Sequence, residues 1–475
     1  MRRCLLLGLF FSIYLASLGG QDLISSQFLN RYTNAQLFST FGIPARSGVE
    51  LYKLQYTTLD AEGLLDTASG LVVVPMTTGP FPLLCHQHGT IDHRDRVPSA
   101  ELDHFGELYL GSEGFLVSSA DFIGCGDSRG YHPYLHAATE ASAAIDLLRA
   151  VRTFTTQQGI VLDNRLFVTG YSQGGHAAMA AFQQLEQDFS DEFQVTAAVL
   201  MSGPYDVTGT MRRLILSETA YDFPGYLGHV AKGYKQVDNS LYNELTDIFK
   251  PRYAAVIDRF EHRSDFGLFA MNDTLVAMLT AEFGASIGRF MVQDSVVTAF
   301  ERADTNNRLY AALEDNNLFN WIPKAPTRLY YCEADEQVPF TNATTTDSIM
   351  NALGAQDVAS LSLGRTLDHF GCAIPAYLNA STFFKEFRTT STQTQIEEQK
   401  IRIYPNPTTD YLIINAPDLE VVNELTSYKI FDRLGRLLDA GTLKDKQINT
   451  QALESGVYLL TLTQQNQIAT VKFIK

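Results

Sequence analysis

The tightest constraint on this chain is Gly170-Tyr171-Ser172-Gln173-Gly174-Gly175-His176, a serine framed by glycines. An apolar run, Leu166-Phe167-Val168-Thr169, leads into it, and a small-residue run, Ala177-Ala178-Met179-Ala180-Ala181-Phe182, leads out. That succession predicts a strand, a sharp turn with Ser172 at its tip and then a helix, the form of a G-x-S-x-G nucleophile elbow. Side chains two residues before or after the serine would clash across such a turn, so Gly170 and Gly174 fit there. Gly175 lets the helix pack closely on the sheet. A helix starting directly after the serine aims N–H groups and a positive dipole end at it, which favours a developing oxyanion. The motif is short and recurs by chance in many chains; the strand before it and the helix after it single this instance out. Ser172 is the expected nucleophile.

A serine nucleophile needs a base, and the base needs an acid to orient it. In enzymes built on such an elbow the chain order is Ser, then Asp or Glu, then His. Four histidines follow Ser172: His176, His229, His262 and His369. His176 lies along the helix and is read as packing, while His229 and His262 fall in a helical insertion. His369, on a loop after the strand-like Val358-Ala359-Ser360-Leu361-Ser362-Leu363, is the expected general base and acid. The orienting acid should follow the preceding strand, Arg328-Leu329-Tyr330-Tyr331, and Asp335 is chosen, with Glu333, Glu336 and Asp206 as alternatives. Asp368 is expected to hydrogen-bond within its loop. The oxyanion hole calls for two backbone N–H groups: that of Gln173, and that of Thr90 in His86-Gln87-His88-Gly89-Thr90. A metal reading of His86, His88, Asp92 and His93 fails on spacing, H-x-H-x-x-x-D-H instead of H-x-H-x-D-H, so neither metal nor cofactor is expected.

The rest of the chain supplies a frame for these residues. Strands are predicted at 49–57, 70–75, 81–85, 115–120, 166–169, 195–201 and 328–331, with a helical pattern over 137–151. Alternating strands and helices predict a mostly parallel sheet with helices on both faces, opened by an antiparallel hairpin. Reactive groups gather at the carboxyl ends of such strands. Residues 204–323 break the alternation with helical periodicity rich in Tyr, Phe, Leu and Met, and are read as a helical cap insertion. The α/β domain is placed at 21–387 and a polar linker at 388–400. Short β segments separated by turn signals make 401–475 a small all-β sandwich.

Arg2 and Arg3, a short apolar run and small residues up to Gly20 describe a secretory signal peptide over 1–20. The run is too short for a comfortable membrane span, and no transmembrane segment is expected in the mature chain. Loss of the signal removes Cys4 and leaves Cys85, Cys125, Cys332 and Cys372, with Cys85–Cys125 and Cys332–Cys372 as conceivable pairs. The formal net charge of −17 argues against a nucleic-acid partner and against docking on an anionic membrane.

With these residues in hand, the chain resembles the α/β-hydrolase superfamily over residues 49–387. It looks most like bacterial esterases and secretory lipases, through His86-Gln87-His88-Gly89-Thr90, Asp121-Phe122-Ile123-Gly124-Cys125-Gly126-Asp127-Ser128 and Gly170-Tyr171-Ser172-Gln173-Gly174-Gly175 in order. The resemblance implies a serine hydrolase of small-molecule or lipid esters. Cys332 departs from it, standing where the acid-strand motif usually carries glycine. Phe370 after the histidine is a second departure, and both leave the pocket shape open. The tail resembles the C-terminal sorting domain of the type IX (Por) secretion system, through Tyr404-Pro405-Asn406-Pro407, Asp410, Leu412, Asp432, Gly435-Arg436, Gly456-Val457-Tyr458 and Lys472-Phe473-Ile474-Lys475. That implies a Bacteroidetes-like bacterium, engagement of the type IX machinery, and a secreted or surface-attached product. A prolyl-oligopeptidase-like peptidase would use the same triad, but usually with a large propeller or clamping domain for which no room remains. A non-catalytic surface binding protein on a hydrolase scaffold is opposed by Ser, Asp and His standing intact and in order.

Overall fold

A computed structural model describes residues 23–262, 266–387, 402–415, 426–432, 437–464 and 467–475. The expected signal peptide and linker lie outside the described residues, as does the Gly435-Arg436 pair of the tail. The chain divides into two compact units at Phe384/Lys385.

The first unit opens with β1 (Leu23–Tyr32), α1 (Asn34–Phe41) and the β2 (Val49–Leu59) and β3 (Leu65–Pro75) hairpin. Then come β4 (Phe81–Gln87), α2 (Phe105–Ser112), β5 (Leu116–Ala120), α3 (Ala137–Gln158), β6 (Leu162–Tyr171), α4 (Gln173–Gln187) and β7 (Val195–Met201). These strands join β8 and β9, described below, in one nine-stranded sheet of order β1-β2-β3-β5-β4-β6-β7-β8-β9. Pairing is antiparallel from β1 to β5 and parallel from β5 onward. All seven residues of β4 and all five of β5 are buried, which is why those segments read as unbroken apolar runs. β1 was not among the predicted strands: five consecutive residues, 24–28, are exposed, so this edge strand carries no alternation to read.

Successive residues of β6 face opposite layers. Leu166 and Val168 join the core formed with α3 and α4, whereas Phe167 meets Phe115 and Phe384 on the other face. β6 sits between β4 and β7 in the parallel part of the sheet, so Ser172, which follows it, emerges in mid-sheet at the strands' carboxyl edge.

Between β7 and β8 the chain leaves the sheet for a helical layer. One π-helical turn over Val207–Met211 is followed by α5 (Arg212–Ile215), α6 (Gly225–Val237), α7 (Pro251–Asp258), α8 (Leu268–Phe283), α9 (Asp294–Glu301) and α10 (Arg308–Glu314). Among the described residues of this layer there is no strand, only a bridge between Phe249 and Val292. It has its own apolar core, including Tyr253, Ile257, Met271, Leu275 and Met291. The chain then returns through β8 (Thr327–Tyr331), α11 (Thr341–Leu353), β9 (Val358–Ser362) and α12 (His369–Glu386).

The second unit is all β. β10 (Arg402–Tyr404), β11 (Tyr411–Asn415) and β14 (Gln447–Asn449) form one antiparallel sheet. β12 (Ser427–Asp432), β13 (Leu437–Thr442), β15 (Val457–Gln464) and β16 (Gln467–Ile474) form another. Both contribute to one core, with Leu412, Ile414 and Ile448 from the first and Ile430, Leu460 and Phe473 from the second.

Candidate active site

The turn after β6 is as tight as the glycine pattern demands. Ser172 has φ +61°, a region that residues with a β-carbon rarely adopt. A β-carbon on Gly170 would stand 2.0 Å from the Gly174 carbonyl oxygen, and one on Gly174 would stand 2.0 Å from that of Gln87. On Gly175 it would lie 2.6 Å from the Met201 carbonyl oxygen at the end of β7. The Ser172 N–H donates to that same Met201 oxygen at 3.0 Å, tying the turn to the sheet.

Three side chains distant in sequence meet here. Ser172 Oγ lies 2.8 Å from His369 Nε2, and His369 Nδ1 lies 2.8 Å from Asp335 Oδ2. An ionised carboxylate only accepts, so Nδ1 carries the proton toward Asp335, and Nε2 offers its lone pair to the serine hydroxyl. Asp335 and His369 are 7% and 3% exposed, so little water competes for these bonds. The other oxygen of Asp335 accepts the N–H groups of Gln337 (3.1 Å) and Val338 (2.8 Å), which fix the carboxylate plane.

The alternatives for the acid are occupied elsewhere. Glu333 accepts from the Ser362 hydroxyl at 2.9 Å, and Asp206 accepts the Thr210 N–H at 2.7 Å. Glu336 accepts the backbone N–H of His369 at 3.1 Å. His176 is buried against Glu140, and His229 and His262 are buried in the helical layer. The expectation that His369 lies on a loop needs correction: it is the first residue of α12. The side chain of Asp368 accepts the Gly371 N–H at 2.7 Å, and such a cap lets the helix begin one residue later.

Tyr171 was not singled out in the sequence. Its hydroxyl donates to the His369 carbonyl at 2.5 Å, and its ring lies 5.2 Å from the imidazole. Burial pushes that hydroxyl's pKa up, keeping it a donor. As the unspecified residue of the elbow motif it carried no sequence signal.

Gln173 opens α4, so its N–H has no acceptor within the helix. The loop beyond β4 borders the same spot: a β-carbon on Gly89 would stand 3.7 Å from Ser172 Cβ. Thr90 follows, its hydroxyl 2.8 Å from that of Tyr134. Of the four side chains weighed as metal ligands, three go to separate partners: His86 to Tyr377 and Glu107, His88 to the Gly89 carbonyl, and Asp92 to the Phe269 N–H, while His93 Nδ1 is buried without a hydrogen bond.

Cys332 and Cys372 form a disulfide. The other conceivable pair, Cys85–Cys125, does not form, and both are buried thiols. Cys85 is held inside β4, accepting from the Gln87 side-chain amide at 3.3 Å, whereas Cys125 lies in the loop beyond β5, 4.0 Å from His262 Nδ1.

A cavity starts at Ser172 and Gln173 and runs into the helical layer, past Val207, Met211, Leu227 and Val296. Its walls are almost wholly apolar.

The sheet, the elbow and the gathered Ser, His and Asp define an α/β-hydrolase. Residues 103–377 match the secretory lipase family, and the chain belongs to that family. Residues 402–475 match the secretion system C-terminal sorting domain. The chain is thus a secreted or surface-attached ester hydrolase whose tail engages the type IX secretion machinery. Among solved structures it is similar to the rice cell wall degrading esterase LipA from Xanthomonas oryzae, at 28% identity and TM-score 0.68, covering 78% of this chain and 97% of that one. A putative hydrolase from Legionella pneumophila (22% identity, TM-score 0.67, 78% and 99% covered) and Candida antarctica lipase A (16%, 0.53, 73% and 77%) share the fold. No curated protein sequence matches the chain significantly.

Proposed function

We propose that the chain hydrolyses carboxylic esters through an acyl-enzyme formed on Ser172. The observation that carries this reading is the continuous chain Ser172–His369–Asp335, with both links at 2.8 Å. His369 Nε2 takes the hydroxyl proton as Ser172 Oγ attacks the ester carbonyl, and Asp335 holds the imidazole in the tautomer that can accept it. The N–H groups of Gln173 and Thr90 receive the oxyanion. His369 then protonates the departing alcohol; water next attacks the acyl carbon, losing a proton to His369, which passes it to Ser172 Oγ as the acyl–oxygen bond breaks and the acid leaves.

The apolar cavity beyond Ser172 suits an acyl chain, and residues 204–323 act as the cap that encloses it. Replacing Ser172 by Ala is expected to cost about 10³-fold or more in kcat on a chromogenic ester, with the protein still folded. A variant that kept full esterase activity would sink this mechanism. A panel of acyl esters against dipeptide amides separates the ester hydrolase from a peptidase using the same triad.

A further inference from the structure

The base of the triad has a partner to hold it; the oxyanion side has one too, and the mechanism above makes no use of it. Gln173 is 2% exposed. Its side-chain amide nitrogen donates to His132 Nε2 at 2.7 Å and to Glu140 Oε1 at 3.0 Å. His132 Nδ1 lies 2.8 Å from the Ile123 carbonyl oxygen, which can only accept, so Nδ1 carries the proton and Nε2 offers a lone pair to Gln173. Burial lowers the pKa of His132, favouring that neutral form. The second oxygen of Glu140 meets His176 Nδ1 at 2.7 Å, and His176 Nε2 meets the Asn316 carbonyl oxygen at 3.1 Å. Gln173 therefore stands mid-way in a line of buried polar groups from the loop after β5 to the segment after α10.

Burying two ring systems, a carboxylate and an amide costs free energy that apolar packing would have avoided. Such a network is retained at a cost when it holds something in place, and the object it holds is the first residue of α4. That position needs holding. Two glycines, Gly174 and Gly175, follow it directly, and they leave the first helical turn with more conformational freedom than other residues would. An oxyanion donor misplaced by a fraction of an ångström loses much of its effect.

We propose that the side chain of Gln173, clamped by His132 and Glu140, is a positioning group for the oxyanion-binding N–H that the same residue carries. This rests on the mechanism proposed above and adds to it a second support beside that of Asp335.

The test compares Gln173→Leu, which keeps the volume and loses the donor, with Glu140→Leu and their double variant. Three readouts are taken: ester hydrolysis, inhibition by an alkyl boronic acid that forms a tetrahedral adduct on Ser172, and thermal unfolding. The expected result for Gln173→Leu is a kcat about tenfold or more lower, since a positioned oxyanion donor is worth up to about 10²–10³. The boronic-acid inhibition constant should rise by a similar factor, because that adduct needs the same donor. Glu140→Leu should lose a comparable amount, Glu140→Gln should recover most of it, and the double variant should lose no more than the larger single loss. Should Gln173→Leu fail to fold, Gln173→Ala is read in the same way. A Gln173→Leu protein with near-wild-type kcat and an unchanged boronic-acid constant overturns the clamp, as does full additivity in the double variant. The Ser172→Ala control keeps the two failures apart, since an active control would sink the mechanism itself.

Discussion

Gly174 has no room for a β-carbon, and the atom in the way is backbone: the Gln87 carbonyl oxygen, 2.0 Å from where that carbon would sit. Backbone at the end of a buried strand cannot swing aside as a side chain can. Gly174→Ala should therefore destabilise by about 1–3 kcal/mol in chemical denaturation and lose most activity, because relief of the clash moves Ser172. The two remaining thiols make a separate prediction. Burial pushes the Cys85 thiol up to about 12 and raises that of Cys125 as well, so neither forms thiolate at neutral pH. A maleimide should leave both untouched in the native protein and label both once the chain is denatured without reductant. A Cys85–Cys125 bond would instead leave both unlabelled in that second condition. The same residue scale shows what local pattern could reveal. Gly170, Ser172 and Gly174 were legible because the turn's sterics depend on neighbours in sequence. Tyr171 was not, because its partner His369 is 198 residues away.

At the scale of elements, the cross-link between Cys332 and Cys372 joins the loop that delivers Asp335 to the helix that delivers His369. Cys332 stands three residues before Asp335 and Cys372 three residues after His369, and the bond closes a sequence separation of 40. A loop of that length implies about 2–4 kcal/mol of stabilisation, chiefly by restricting the unfolded chain. The double variant Cys332→Ala/Cys372→Ala should lose about that much in urea titration. It should also show a lower kcat at little-changed KM for a short ester, because acid and base are then held only by non-covalent contacts. An unchanged kcat would confine the bond to a stabilising role. Most strands could be read from their apolar runs, since β4 and β5 are buried along their whole length. The edge strand β1 could not, because its exposure leaves only the hydrogen bonds to β2 to define it.

For the whole molecule, the hydrolase unit and the tail each have a core of their own. Residues 21–387 expressed alone should then fold and hydrolyse esters with kcat within about twofold of the full chain, while export through the type IX route is lost. Activity that required the tail would show that the two units do not work independently. The linear order of residues was sufficient for the fold class and the sorting tail, and it singled out the elbow and the order of Ser172, Asp335 and His369. Each of these is set by local sterics, by periodicity or by order along the chain. Three features belong to the tertiary structure alone: which cysteines pair, how Gln173 is held by His132 and Glu140, and the shape of the cavity running into the helical layer. They depend on distances between segments tens to hundreds of residues apart, and packing decides those only once the sheet and its helices have closed around a common core.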